Sequence, residues 1–341
     1  MEVGGDLRST VRRDVVHEPV GERFGAPFLR WAGEMPEIRL TRQLLADGYA
    51  PDELRRLQRD GRLVHVRRGA WSTPQAGAAE ETTAEARHRL LVEAVAAQMQ
   101  PGGVFSHGSA ALLHGLPVWT ETLERAHLTR NRSTGAKRRR DVELHTATLS
   151  AEHVTVVDGL PVTTLPRTVA DLARLLPFDQ AVAAGDRAAA LGLDFGHLDD
   201  VLRFQEQWPG VRQARRVADF LDARAESAGE SVSRVRIGEL GLPSPIPQYE
   251  VFDAVGTMIG RVDFAWPDRR TIGEFDGRIK YGALLRPGER PEDVVYAEKL
   301  REDALRDAGW QVVRWVWADL ARPLEIQQRL VRAFARAGRP L

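Results

Sequence analysis

From Ile38 onward, short amphipathic stretches alternate with short strand-like runs. Leu40, Leu44 and Leu45 suit a brief helix that Asp47-Gly48 ends. Ala50-Pro51-Asp52-Glu53 opens a second helix, with proline near its first turn and acids at its N-terminus. That helix carries Leu54 and Leu57 together with Arg55, Arg56 and Arg59, and it stops at Asp60-Gly61. L-V-H-V-R-R-G-A-W-S-T-P then predicts two short strands around Arg67-Arg68-Gly69. Helix, tight turn, basic helix and basic hairpin is the order of a winged helix-turn-helix. In that arrangement the second helix enters a major groove and the hairpin touches backbone phosphates. A helix pair and hairpin used only for packing is the competing reading.

Residues 1–35 are polar and aperiodic, which predicts a loose arm, and Gln75 to Thr83 has the composition of a linker. The pattern therefore divides into an arm (1–35), a winged helix-turn-helix (36–75), an α+β middle domain (80–222) and a C-terminal domain (223–341). In the middle domain, Glu85 to Met99 and the A-A-L-L-H-G-L run are helical. Ala126 to Thr129, Val142 to His145 and the hairpin Val154 to Val162 are strands, and helices near Pro166, Gln180 to Leu191 and Leu198 to Trp208 follow. Between the first two strands, R-N-R-S-T-G-A-K-R-R-R places Arg130, Arg132, Lys137, Arg138, Arg139 and Arg140 in one loop. Such a run is either a solvated face or a phosphate-contacting one. His107 and His114 have no neighbouring carboxylate or nucleophile pattern, so a structural role is expected for both.

The C-terminal 115 or so residues read as helix, three strands, helix, strand, helix. Ser227-Ala228-Gly229-Glu230 forms a capping box at the start of the first helix, and Arg234 one turn on is expected to pair with Glu230 or with a phosphate. If Met258 to Trp266 is a strand, alternation places Val262, Phe264 and Trp266 on one side and Asp263 on the other. In Thr271 to Gly277 the same alternation groups Ile272, Glu274 and Asp276 and turns Phe275 away. Carboxylates crowded in this way call for solvent, a basic partner or a hard divalent cation such as Mg²⁺. A half-exposed hairpin with solvated charges is the plainer alternative. In the helix Glu292 to Ala308, the expected inward stripe is Val294, Ala297, Leu300, Ala304 and Ala308.

Composition changes this picture little. The chain has 341 residues, 48 basic and 48 acidic side chains and a net charge of zero, so a nucleic-acid partner would be met by local patches. Cysteine is absent, which excludes disulfides, thiol nucleophiles and cysteine-ligated zinc, and no stretch approaches a membrane span. A cytoplasmic protein without a membrane partner is expected.

The C-terminal motifs are a helix with E-S-V-S-R (Glu230 to Arg234), then V-D-F-A-W-P, then G-E-F-D-G, then a helix ending A-G-W before V-V-R-W. In that order they resemble the PD-(D/E)XK nuclease superfamily, and within it the very-short-patch-repair-like domains common in actinobacterial proteins. The helical start and the segment G-L-P-V-T-T-L-P-R-T-V-A-D-L-A resemble AbiEi-type antitoxins of type IV toxin-antitoxin systems. The implied fold is α/β (α+β overall), with a restriction-endonuclease-like mixed sheet at the C-terminus. The resemblance implies Asp263 as the metal-binding aspartate, Glu274 as the first acid of the triplet and Glu230 as the helix glutamate. Asp276 stands where lysine is usual, and Lys280 or Lys299 would supply the missing positive charge.

Two function classes follow. One is a Mg²⁺- or Mn²⁺-dependent DNA endonuclease with Asp263, Glu274, Asp276 and Glu230 around the metal. The other is a non-catalytic, antitoxin-like regulator that binds its own operator, with a nucleotidyltransferase-like toxin or its gene product as partner. Both use Arg55, Arg56, Arg59, Arg67, Arg68, Lys137, Arg138, Arg139 and Arg140 against DNA.

Overall fold

The computed structural model describes residues 37–74, 83–132, 134–277 and 291–338, with the side chains of 291–295 excepted. The expected arm (1–35), most of the expected linker and Lys280 lie outside the described residues. Helices and mixed sheets combine in an α/β architecture with three sheets.

The first sheet has order β1-β3-β2, from β1 (Ile38–Leu40), β2 (Val64–Arg67) and β3 (Ala70–Ser72). Before β2 run α1 (Thr41–Ala46) and α2 (Pro51–Arg59), with Pro51 at the start of α2 where its missing N–H is harmless. Leu44, Leu54, Leu63 and Trp71 make the small core, and the Trp71 indole N–H donates to Thr41 Oγ1 at 2.8 Å. Ile38 to Leu40 is a strand, because it pairs in antiparallel register with β3 (Ile38 with Ser72).

The second sheet follows α3 (Ala84–Ala96) and has order β6-β7-β5-β4-β9-β8. Its strands are β4 (Gly103–Phe105), β5 (Ala126–Asn131), β6 (Lys137–Arg138), β7 (Val142–Ala147), β8 (Val154–Val157) and β9 (Leu160–Thr163). α4 (His107–Leu113) leaves β4, and a helical bundle comes after β9: α5 (Leu165–Leu175), α6 (Phe178–Ala190), α7 (Phe195–Phe204) and α8 (Val211–Phe220). The R-T-V-A-D segment begins α5, and its two charged residues are almost wholly buried. Arg167 Nε donates to Asp171 Oδ2 at 2.8 Å across one helical turn. Asp171 Oδ1 also accepts from Gln205 at 2.9 Å and from Arg174 at 3.3 Å. Arg167 and Arg174 both stack on the Trp208 ring, so this motif ties α5 to the end of α7.

α9 (Ala228–Glu239) joins the bundle to the third sheet: Val235 packs into the bundle core, whereas Val232 and Ile237 pack into the sheet core. Arg234 does not pair with Glu230. It donates to Asp186 Oδ2 on α6 and to the Phe220 carbonyl, both at 2.7 Å, because it lies on the face of α9 turned to the bundle. The third sheet has order β10-β11-β12-β13, with β10 (Ile246–Phe252), β11 (Met258–Trp266) and β12 (Thr271–Phe275) antiparallel and β13 (Gln311–Trp315) parallel to β12. α10 (Pro291–Asp307) lies over one face; α9, the short α11 (Trp317–Leu320) and α12 (Pro323–Arg336) lie over the other.

Two expectations of side-chain facing are corrected. Phe264 and Trp266 point to the α9 and α12 side, but Val262 packs with Ala265 and Ile272 on the α10 side. The alternation along β11 changes phase at Asp263, so Val262 and Phe264 fall on opposite faces of the sheet. On α10, Leu300 is half exposed, while Arg301 and Leu305 face the sheet where Leu300 and Ala304 were expected; Ala308, just past the helix, packs inward as expected.

Candidate functional site

The predicted acids gather at the C-terminal end of β12. A Cβ added to Gly229 would lie 1.9 Å from the Phe275 ring, so only glycine lets the first turn of α9 press against this strand end. That contact brings Glu230 close enough to Asp263 for their charges to interact. Asp263, on β11, accepts the Phe275 N–H at 2.7 Å in place of a strand carbonyl. Burial, then the neighbouring Glu230, and less strongly Glu274, push the Asp263 carboxyl up to about 7 against the lowering effect of that hydrogen bond and of Arg301.

The other two acids are already engaged. Glu230 Oε1 accepts from the Ser227 hydroxyl at 2.7 Å; Oε2 accepts from the Glu226 N–H at 3.0 Å and from Gln248 at 2.8 Å. Ser227 Oγ also accepts the Glu230 N–H at 3.2 Å, so half of the expected capping box forms, while the glutamate reaches back to the Glu226 N–H and not to that of Ser227. Glu274 Oε1 accepts from Arg301 of α10 and Oε2 accepts from Arg314 of β13, each at 2.9 Å. Arg314 is the register partner of Glu274 on the parallel strand and also pairs with Glu302 at 2.8 Å. A hard cation needs carboxylate oxygens turned toward one point. In this arrangement both oxygens of Glu230 and both of Glu274 accept from N–H and O–H donors. Asp276 is exposed just past β12, its N–H bonded to the Trp315 carbonyl at 2.8 Å. Lys299 is exposed on α10. The cations that reach Glu274 are Arg301 and Arg314, which the sequence reading missed. The alternation of V-V-R-W was the available signal for Arg314, since it sets that residue beside the neighbouring strand's acid.

The basic residues fall on three segments: α2, the β2–β3 turn and the Lys137–Arg140 stretch. Arg55, Arg56 and Arg59 are exposed on α2, where Arg55 pairs with Asp52 and Arg56 with Glu53 at 3.5 Å. Arg68 is exposed in the β2–β3 turn, but Arg67 is largely buried against the middle domain, its Nε 3.7 Å from Asp141 Oδ2. Lys137, Arg138, Arg139 and Arg140 are all exposed, and the first two form β6 at the edge of the second sheet. Arg138 lies 3.5 Å from Glu143. The Arg67–Asp141 pair places the hairpin turn directly beside this basic edge.

His114 Nε2 lies 2.8 Å from the Thr163 carbonyl and links α4 to β9. His107 does not stand alone: it meets His127 and His145 at the wall of a cavity.

No family model matches the sequence. Uncharacterized protein MT2308 of Mycobacterium tuberculosis strain CDC 1551 / Oshkosh and uncharacterized protein Rv2248 of strain H37Rv are each 32% identical to this chain over 232 residues, which is 67% of this chain and 80% of theirs. The chain belongs to their family. The crystal structure of the RV2827C protein from Mycobacterium tuberculosis, 17% identical, covers 64% of this chain and 84% of that one with a TM-score of 0.38. Among the described residues, no helix is long and apolar enough to cross a membrane.

Proposed function

We propose that this protein is a cytoplasmic DNA-binding regulator. Its α1–α2 pair and β2–β3 hairpin act as a winged helix-turn-helix, and its C-terminal sheet is a non-catalytic relative of the PD-(D/E)XK nucleases. The observation that carries the reading is the Arg67–Asp141 pair, which joins the hairpin turn to the Lys137–Arg140 edge. Separately, each basic segment is an ordinary solvated surface. Side by side they form a strip in which Arg68 and the edge residues contact phosphates while α2 meets a groove. Arg67 acts by positioning, not by touching DNA.

The engaged state of Glu230 and Glu274 supports the non-catalytic half of the proposal. An acid held by two arginines has exchanged the role of a metal ligand for that of a strut between α10 and β13. Under this reading the natural partner is the chain's own operator, and a nucleotidyltransferase-like toxin is the companion whose gene it would control. A gel shift with the chain's upstream DNA is expected to give binding that weakens steeply with salt and that Arg55→Ala and Arg68→Ala diminish. No shift at low salt would overturn the reading.

One observation favours a second reading, a Mg²⁺-dependent endonuclease: Asp263 is crowded by two further carboxylates, as in a site awaiting a cation. Supercoiled plasmid with Mg²⁺ or Mn²⁺ separates the two. The regulator leaves it intact; metal-dependent nicking abolished by Asp263→Ala and Glu274→Ala would establish the enzyme.

A further inference from the structure

Three histidines distant in sequence meet in the middle domain. His107 is the first residue of α4, held in left-handed backbone at φ 49°, a conformation uncommon for a side chain other than glycine, asparagine or aspartate. His127 and His145 lie on the neighbouring parallel strands β5 and β7, where the register pairs Thr129 with His145 and so sets the two histidines diagonally on one face. One ligand nitrogen from each of the three lies within 4.8 Å of the other two. His127 Nδ1 and His145 Nε2 are 3.0 Å apart. In a tetrahedral zinc site with bonds of about 2.0–2.1 Å, ligand nitrogens are separated by roughly 3.3 Å. This pair is therefore close to coordinating distance, while the His107 ring stacks on His145 with centroids 3.8 Å apart and has to turn out of that stack to bring its nitrogen to the same ion.

The surrounding hydrogen bonds set the tautomer that ligation needs at His127 and are compatible with it at His107, while His145 Nε2, which donates to His127 Nδ1 without a metal, gives up that proton on binding. His127 Nε2 lies 3.2 Å from the Thr122 carbonyl, an acceptor only, so Nε2 carries the proton and Nδ1 keeps its lone pair. His107 Nδ1 lies 2.9 Å from Ser106 Oγ, which also accepts from Thr129 Oγ1 at 2.8 Å. With Nδ1–H donating to that hydroxyl, His107 Nε2 is free to bind. A second nitrogen tied to a carbonyl or hydroxyl is the usual outer support of a metal-bound histidine. Burial, and then the neighbouring imidazoles, hold His107 and His127 below the ordinary histidine range, and burial does the same for His145, which leaves all three neutral.

The three imidazoles line a cavity of about 370 Å³ whose wall also carries Glu121, Arg125, Arg138 and Glu143. A closed structural site would have a fourth protein ligand, whereas three histidines beside an open cavity leave one position for water or a small anion. Imidazole donors without a carboxylate suit Zn²⁺, Co²⁺ or Ni²⁺ and not Mg²⁺.

We propose that His107, His127 and His145 form a binding site for one divalent first-row transition-metal ion, Zn²⁺ in preference to Mg²⁺, with an open coordination position facing the cavity. The site is separate from the acids around Asp263, and the proposal does not depend on DNA binding.

The full chain, stripped with chelator and titrated with Co²⁺, is expected to bind one equivalent and to develop the visible absorption of a four- or five-coordinate ion, which Zn²⁺ then displaces. His127→Gln and His145→Gln, checked for folding by circular dichroism, should each weaken binding at least tenfold. In the unsubstituted protein Zn²⁺ should protect His127 and His145 from diethylpyrocarbonate, mapped by mass spectrometry; this readout serves even where a variant does not fold. Absence of the Co²⁺ spectrum, unchanged affinity in the folded variants, or equal modification with and without Zn²⁺ would each overturn the site.

Discussion

Arg67 Nε on the β2–β3 hairpin lies 3.7 Å from Asp141 Oδ2 at the foot of β7, and both side chains are mostly sheltered from solvent. An ion pair at that separation in partly buried surroundings couples two units that the sequence separates by more than seventy positions. Arg67→Ala and Asp141→Ala are each expected to cost about 1 kcal/mol, with a double-mutant coupling of the same order. Chemical denaturation of the four proteins measures it. A coupling near zero would mean that the hairpin is held by other contacts, such as the bond from Gln98 to the Arg68 carbonyl at 3.1 Å.

The buried Arg167–Asp171 pair behaves differently, because neither charge has water to fall back on. Removing one partner, by Arg167→Ala or Asp171→Ala, is expected to cost roughly 3–5 kcal/mol. The apolar double substitution Arg167→Met with Asp171→Leu should lose less than either single change. Urea midpoints decide the matter, and single substitutions as mild as a surface change would contradict the burial described here.

How much of this was legible in the sequence depends on what each feature required. The α1–α2–hairpin order and the C-terminal succession of elements came from breakers and periodicity, which are local. The facing of Val262 was not legible, because nothing in the local pattern of β11 marks the change of phase at Asp263. Nor was the stripe of α10, where Arg301 occupies an inward position since Glu274 and the Arg261 carbonyl await it. His127 and His145 passed unnoticed as ordinary strand residues; only the parallel pairing of β5 and β7 brings them to His107. The R-T-V-A-D segment was visible as a motif, but its buried ion pair became apparent only when α5 was packed against Gln205 and Trp208.

The raised Asp263 carboxyl predicts a pH dependence. Its folded value of about 7 lies above the ordinary 3.8, so the folded state binds this proton more tightly than the unfolded chain does. The contribution to stability is complete below 3.8 and is lost as pH rises through 7. Asp263→Asn keeps an acceptor for the Phe275 N–H and should raise the melting temperature at pH 8 more than at pH 5. An equal change at both would show that Asp263 is not held protonated.

His127 predicts the opposite slope. Burial first, then His145, lowers it to about 3 from 6.5, so the unfolded chain takes up its proton more readily. Its contribution to stability is present above 6.5 and is lost as pH falls toward 3. His127→Gln should flatten the fall in denaturation midpoint between pH 7 and about pH 4.5, and a variant that falls as steeply as the parent would contradict this.

The measurement that tests the account most directly is the salt dependence of binding to the chain's upstream DNA, followed by fluorescence anisotropy for the parent and for Arg55→Ala/Arg56→Ala/Arg59→Ala. The parent should bind with a steep linear fall of log affinity against log salt. The triple variant should bind at least tenfold more weakly, with a slope reduced by up to about three. Binding that is absent at low salt, or that the triple variant leaves unchanged in both affinity and slope, would contradict the assignment of α2 as part of a DNA-binding surface.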